Sequence, residues 1–421
     1  MRDLTRRTFL MTAGAMAAAA TTRRAVAAPS EQIRMAVIGA RNRGPQVAEA
    51  AHKTGQFRII TLADCDDAMY EEGAKTLEEK TGAKPAFQKD FRHVLENKDV
   101  DAVVIATPDH WHAMMTDLAL QAGKHVYLEK PASYNIADGK AMVAAAQKHP
   151  AQTLLVGTQQ RSAAHFSEAK EFIKSGGLGK IGFARAWCTH DRGVLDAKPD
   201  SAPPKTLDYD MWLGPAPQRP YNENRVHYVW RFIRDYGTGE MGNWGAHWID
   251  TVLWLLDLGY PTGVMGIGGQ YVVKDAKDWP DTQTAIYEYP EFSLLWELRL
   301  WTDFSVNGAG TGAQVDGEKG SIVITRKGWT FFPKEADKQE HPATNDMELA
   351  HLENFAKSIR GEAKPIAPIE DGHKTATLCH LGNIVADLGR RVKFDGETQS
   401  IIDDPEGIAK QSREYRAPWK L

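Results

Sequence analysis

The chain has 421 residues, 42% of them hydrophobic, with 51 lysines and arginines against 55 aspartates and glutamates and a formal charge of −4. That balance argues against a nucleic acid or an anionic membrane as partner, and the length suits two domains. Cys65, Cys188 and Cys379 are odd in number, far apart and without metal-ligand spacing, so neither a disulfide framework nor a metal site is expected.

Residues 1–28 stand apart from the rest. Thr5-Arg6-Arg7-Thr8-Phe9-Leu10 sets two arginines before an apolar flank, and an alanine-rich run from Met11 to Ala20 follows. Ala25-Val26-Ala27 and Val26-Ala27-Ala28 offer small residues for cleavage. The pattern looks like a twin-arginine signal peptide, and the apolar run is too short and alanine-rich to span a bilayer well. The expectation is a chain recognised by the twin-arginine export machinery and released into the periplasm. Cleavage would remove five arginines and one aspartate, taking the formal charge from −4 to −8.

From about residue 30 to 157 the chain reads as alternating strands and helices. Ile33–Gly39 is a short apolar strand ending in glycine, and Gly44-Pro45-Gln46-Val47 opens a helix. The turn Gly39-Ala40-Arg41-Asn42-Arg43-Gly44 keeps the first and last glycines of a G-x-G-x-x-G fingerprint but carries Arg41 at the middle one. A helix start there favours an anion, and Arg41 or Arg43 can add charge for a phosphate. The strand Phe57–Ala63 ends at Asp64, 20 residues beyond Gly44. An acid at that spacing accepts from adenosine ribose hydroxyls and repels a 2′-phosphate, so NAD is expected in preference to NADP. Asp64 could instead start a turn with Asp66 and Asp67.

Val100–Ala106 is the most strand-like run and leads through Thr107-Pro108-Asp109-His110 into a helix Ala113–Ala122. The next strand, Lys124–Leu128, ends at Glu129-Lys130-Pro131; a helix Ile136–His149 and a strand Thr153–Gly157 follow. Strands separated by helices imply a parallel, doubly wound sheet, whose ligands sit beyond the C-terminal strand ends. Thr107, Pro108, His110, Glu129 and Lys130 fall there, with Asn42 in the glycine turn. A lysine at that place can hydrogen-bond a substrate hydroxyl and help move its proton.

Residues 158–421 read as a mostly antiparallel sheet with helices on one side. Gly179–His190, Gln283–Phe304, Ser321–Thr325 and Thr330–Phe332 are strand-like. The aromatics of Asp208–Pro217 could line a sugar cleft or pack under a loop. A helix is expected from about Asn243 to Leu258, with Asn243, His247 and Asp250 on roughly one face. His247 could take a hydroxyl proton, or be a core histidine beside Trp244, Trp248 and Trp254. Arg161, Trp230 and Arg231 are further candidates for holding substrate hydroxyls, Trp230 as an apolar wall.

Ala106-Thr107-Pro108-Asp109-His110, Glu129-Lys130-Pro131, Val156-Gly157-Thr158-Gln159-Gln160-Arg161, Trp212-Leu213-Gly214-Pro215-Ala216-Pro217, Gly245-Ala246-His247-Trp248-Ile249-Asp250 and Tyr415-Arg416-Ala417-Pro418-Trp419-Lys420 occur in order. Together they resemble the Gfo/Idh/MocA family of oxidoreductases, and the later ones an exported bacterial subgroup of it. The resemblance implies an N-terminal Rossmann domain, a C-terminal domain with a large open sheet, and homodimers or homotetramers formed through that sheet. It implies Lys130 and His247 as catalytic residues. Many dehydrogenases of the family carry an aspartate where this chain has Asn243, and an amide cannot stabilise imidazolium as a carboxylate does.

The leading expectation is hydride transfer between a sugar, sugar derivative or polyol and a tightly held nicotinamide dinucleotide, since no free cofactor pool exists outside the cytoplasm. A redox-neutral, NAD-dependent glycoside hydrolase or lyase is the second reading. A non-catalytic sugar-binding protein of the same fold is the third.

Overall fold

The computed structural model describes residues 31–421, so the expected signal peptide lies outside the described residues. Six short strands form the first sheet: β1 (Ile33–Ile38), β2 (Phe57–Ala63), β3 (Ala86–Gln88), β4 (Ala102–Ile105), β5 (His125–Leu128) and β6 (Leu154–Val156). Their order is β3-β2-β1-β4-β5-β6 and every pairing is parallel. Being covered on both faces, the central strands are mostly apolar; Met35, Val37, Val103, Val104 and Tyr127 have no exposed surface. The chain reverses its winding between β1 and β4, and the crevice at that switch point is where such a sheet takes its ligand.

The second sheet has ten strands: β7 (Ile181–Thr189), β8 (Gly263–Gly269), β9 (Thr282–Glu288), β10 (Ser293–Arg299), β11 (Thr311–Gly317), β12 (Gly320–Thr325), β13 (Gly328–Pro333), β14 (Gln339–Pro342), β15 (Val392–Asp395) and β16 (Ser400–Ile402). Their order is β14-β13-β12-β11-β7-β10-β9-β8-β15-β16, antiparallel except for the β7–β10 pair. Burial alternates along β9 and β10, so one face packs against helices and the other does not. The run expected as strand over Gln283–Phe304 is thus two strands, and its end leaves the sheet with Phe304 79% exposed.

The helices Ala246–Leu255 and Ile369–Leu388 cover the inner face; Tyr287 donates to the Leu378 carbonyl at 2.8 Å. The expected helix from Asn243 to Leu258 is different at its start. A π-helical turn, Met241–Gly245, precedes the regular helix, which begins at Ala246. Of the three residues expected on one face, Asn243 lines the cleft, His247 is buried outside its lining and Asp250 pairs with Arg161.

The chain also returns to the first domain. The helix Met347–Ile359 buries Leu352, Phe355 and Ala356 in the first core. Phe355 stacks on Phe57 and meets Tyr127 edge-on, both at 5.9 Å. At the end of the chain Trp419 packs edge-on against Trp111 at 4.8 Å.

Candidate active site

The glycine turn after β1 is set by backbone contact. Gly39 has φ +104°, and a Cβ there would lie 2.5 Å from the Ala106 carbonyl oxygen. A Cβ on Gly44 would lie 1.9 Å from the Gly39 carbonyl. Neither position tolerates a side chain, which is the reason the outer glycines persist while the middle one can be Arg41. The helix Arg43–Lys53 starts here with no acid in its first turn, leaving its positive end for an anion. Asp64, at the tip of β2, accepts from Ala40 N at 2.8 Å and from Asp66 N at 3.0 Å. Burial raises its carboxyl to about 6 despite these bonds.

The two turn arginines differ. Arg43 pairs with Glu129 at 2.6 Å and with Glu348 at 2.7 Å, so its charge is already matched and it joins the turn to the C-terminal half. Arg41 has no acid in ion-pairing distance among the described residues and lies over the Tyr228 ring at 5.6 Å. Of the two, Arg41 is the cation available to a phosphate.

Beyond β4 and β5, His112 lies 3.0 Å from the Thr107 carbonyl and 2.7 Å from the Pro131 carbonyl. It staples the two loops that carry Thr107, Pro108, Glu129 and Lys130 to the cleft. Lys130 Nζ donates to Asn243 Oδ1 at 2.6 Å and to the Asn243 carbonyl at 3.1 Å. Burial pushes this ammonium down to about 8, opposed by Glu129 and assisted by Arg231. The π-helical turn is what aims Asn243 at the lysine. Behind it, Asn243 Nδ2 donates to Glu240 at 2.9 Å, and Glu240, itself fully buried, pairs with Arg192 at 2.9 Å. Glu240 escaped the sequence reading; its position three residues before Asn243, one turn back on the same helix, was the available signal.

A cleft of about 500 Å³ joins these parts. Gly39, Arg41, Asn42, Arg43 and Asp64 line it at one end; Thr107, Pro108, Glu129 and Lys130 lie along its floor, and Trp230, Arg231 and Asn243 come from the second domain. His227, with Nε2 2.8 Å from the Asp66 carboxylate, and Tyr228 bring a second-domain loop over the Asp64 end; both were missed because loop contacts leave no periodic trace. His247 does not line the cleft. It is 6% exposed, its Nδ1 is buried without a hydrogen-bond partner, and Trp244 lies 5.7 Å away. Burial, with the charges of Lys130, Arg326 and Arg43, holds it well below the ordinary imidazole range and therefore neutral.

Three expected site residues stand elsewhere. His110 is buried against Trp212 and Tyr236 with Nε2 3.0 Å from the Trp212 carbonyl, and burial pushes it down to about 3. Arg161 and Asp250 are used by each other, at 2.7 and 2.9 Å, with Asp371 and Thr375 completing the network. Their polar atoms are spent inside the protein, tying the helix Ala246–Leu255 to Ile369–Leu388. The Asp208–Pro217 aromatics mostly pack: Trp212 is 5% exposed and meets Tyr236 at 4.7 Å.

Residues 33–158 match the model of the Gfo/Idh/MocA oxidoreductase family with NAD-binding Rossmann fold, and residues 179–285 and 309–421 match the family's C-terminal alpha/beta domain. The chain belongs to the Gfo/Idh/MocA oxidoreductase family. Among its relatives, it is 29% identical over 148 residues to myo-inositol 2-dehydrogenase of Thermotoga maritima, covering 35% of this chain and 42% of that one. It is 33% identical over 105 residues to glycosyl hydrolase family 109 protein 2 of Shewanella sp. strain ANA-3, covering 24% and 23%. The match thus spans well under two thirds of either relative. The solved aldose-aldose oxidoreductase of Caulobacter crescentus, complexed with glycerol, superposes with TM-score 0.67 at 21% identity, covering 86% of this chain and 100% of that one.

The cleft of this family member fits a nicotinamide dinucleotide. The helix start and Arg41 would hold the pyrophosphate, and the remaining lone pairs of Asp64 would accept from ribose hydroxyls. Among the described residues no group of three or more His, Cys, Asp or Glu is placed to hold a metal ion.

Proposed function

We propose that the protein oxidises or reduces a hydroxyl-bearing carbon of a sugar, sugar derivative or polyol, using NAD held tightly in the cleft. The observation that carries this is the grip of Asn243, from the second domain, on Lys130 at the end of the nucleotide cleft. Bound there, the dinucleotide supplies the hydride acceptor or donor. Lys130 has three N–H groups and gives two directions to Asn243, leaving one for a substrate oxygen. With its ammonium lowered to about 8, it is the group whose proton affinity suits exchange with a hydroxyl near neutrality. His247, neutral and outside the cleft lining, would reach the reaction only as a proton relay, once substrate or a small side-chain movement brings it to the cleft. Asp64 favours NAD over NADP through the ribose.

The test is to purify the protein without added cofactor, identify released ligands by mass spectrometry, and incubate it with sugars and glycosides. Retained NAD, with a ketosugar or reduced cofactor formed, is the expected result. Aglycone release with no accumulated reduced cofactor would replace this reading by the hydrolase one, which the similarity to the Shewanella proteins supports. Failure to carry or bind any dinucleotide would leave a sugar-binding protein.

We also propose that Arg6 and Arg7 direct twin-arginine export to the periplasm, and that homodimers or homotetramers form through the outer face of the ten-stranded sheet. Met265, Ile267 and Phe332, exposed on β8 and β13, support the second point. Lysines at positions 6 and 7 should leave the protein in the cytoplasm; unchanged export would end the first point.

A further inference from the structure

Most buried or half-buried arginines in the cleft and beneath it are neutralised. Arg43 has Glu129 and Glu348, Arg161 has Asp250 and Asp371, and Arg192 has Glu240. Arg231 breaks the pattern. It lines the cleft together with Lys130, and no acid lies within ion-pairing distance of it among the described residues. Its Nε is buried without a hydrogen-bond partner. Its guanidinium is fixed instead by aromatic faces, 4.4 Å from the Tyr228 centroid and 5.2 Å from that of Trp230. Stacking of this kind occupies the flat faces and leaves the edge, with its forked donors, as the part that can bind.

The charges nearby leave a positive surplus at this end. Arg326, outside the cleft lining, forms no ion pair among the described residues and faces Glu348 and Glu129; it donates to Gln160 Oε1 at 3.3 Å and lies 5.2 Å from the Trp244 centroid. Against Lys130 and Arg231 stands the buried Asp109, whose carboxylate accepts from Thr238 N at 3.2 Å and Oγ1 at 2.8 Å. The other acids nearby are taken by Arg43 and Arg192. A cation kept partly buried without a counter-ion is costly unless a ligand supplies one. The pyrophosphate has its own partners in Arg41 and the helix start, with Arg41 over the same Tyr228 ring as Arg231.

We propose that Arg231 receives a carboxylate of the substrate, so that the carbohydrate handled by this cleft is an acid, a uronate or an aldonate, in preference to its neutral parent. A planar carboxylate meets the free guanidinium edge with two parallel hydrogen bonds, and this would place the neighbouring hydroxyl-bearing carbons towards Lys130. The proposal rests on the carbohydrate oxidoreductase reading of the cleft. The competing source of an anionic oxygen is a phosphate of the cofactor, and the experiment separates the two.

The NAD-loaded protein is titrated calorimetrically with hexuronates and hexonates and with the corresponding neutral hexoses. At least one acid should bind about 10-fold or more tightly than its neutral parent, the range expected of charge-assisted hydrogen bonds. In Arg231→Gln that advantage should collapse, in Arg231→Lys part of it should return, and NAD affinity should persist in both. Acids that bind no better than their parents, or not at all, overturn the proposal. An advantage unchanged in Arg231→Gln, with weakened NAD binding, also overturns it and gives the guanidinium to the cofactor. If Arg231→Gln fails to fold, the wild-type comparison and Arg231→Lys still decide. A tightly bound acid that is never oxidised or reduced would sink the oxidoreductase reading while leaving the carboxylate contact in place.

Discussion

Glu240 accepts the Nδ2 hydrogen bond of Asn243 at 2.9 Å, and this fixes which end of the amide faces Lys130. With its NH₂ committed to a carboxylate, Asn243 must present oxygen to the lysine, and Oδ1 lies 2.6 Å from Nζ. A side chain that never reaches the cleft therefore sets the hydrogen bonding of one that does. The negative charge thus sits one side chain back from the lysine, on Glu240.

Glu240→Gln should consequently release the amide to turn over and remove a negative charge near the lysine. Both effects disfavour the ammonium, because Glu240 raises the Lys130 pKa. If neutral Lys130 takes the hydroxyl proton, kcat/KM for oxidation should rise with pH through about 8 in the wild type and reach its plateau at lower pH in the variant. A rate loss of about 10-fold should accompany the shift. A pH–rate profile whose acid limb does not move would show that Glu240 has no hold on Lys130.

Lys130→Met should lower turnover by about 10²-fold or more with NAD still bound, as loss of an acid–base group does. His247→Asn should also lower turnover, but with a weaker effect on the pH profile, since burial keeps the imidazole neutral across the working range. Single-turnover kinetics on the NAD-loaded protein would measure both. A wild-type rate in either variant removes that residue from the chemistry.

Asp64 gives a prediction of the same pH sense, set about two pH units lower. Ribose hydroxyls donate to the ionised carboxylate, and burial raises its pKa to about 6. NAD affinity should therefore be level above pH 6 and weaken below it, by up to about tenfold per pH unit. Calorimetry in the unliganded protein would show the trend, and Asp64→Ser should flatten it while reducing discrimination against NADP. An affinity that is flat through this range in the wild type would mean the ribose is read elsewhere.

Gly44→Ala should destabilise the protein by about 3 kcal/mol or more, because its Cβ would lie 1.9 Å from a carbonyl oxygen that cannot move without β1. Denaturant unfolding would measure this. A loss below about 1 kcal/mol would show that the turn relaxes and that glycine is there for another reason.

The nucleotide domain was legible because its signals are local. A glycine-ended apolar strand, an acid 20 residues after Gly44 and a lysine just past another strand each follow from short stretches of chain. Strand ends shifted by only one or two residues from expectation, as where Val100–Ala106 became Ala102–Ile105. The other half was harder to read. Nothing local announces a π-helical turn at Met241–Gly245, and helix spacing alone does not show that Asn243 turns to Lys130 while Asp250 is taken by Arg161. Arg43 looked like a phosphate ligand because Glu348 lies 305 residues away in sequence. Arg161 and Asp250 looked like a polar site because both are charged, and only the fold shows that they satisfy each other.

The return of the helix Met347–Ile359 to the first sheet bears on how the molecule assembles. Phe57 and Tyr127, near the start of the chain, complete their packing against Phe355, near its end. A truncated chain stopping at the last strand of the first sheet would leave a hydrophobic gap where that helix belongs. The core of the nucleotide domain therefore includes side chains that follow most of the second sheet in sequence. A chain cut between the two halves is therefore expected to expose Phe57 and Tyr127 where Phe355 now covers them.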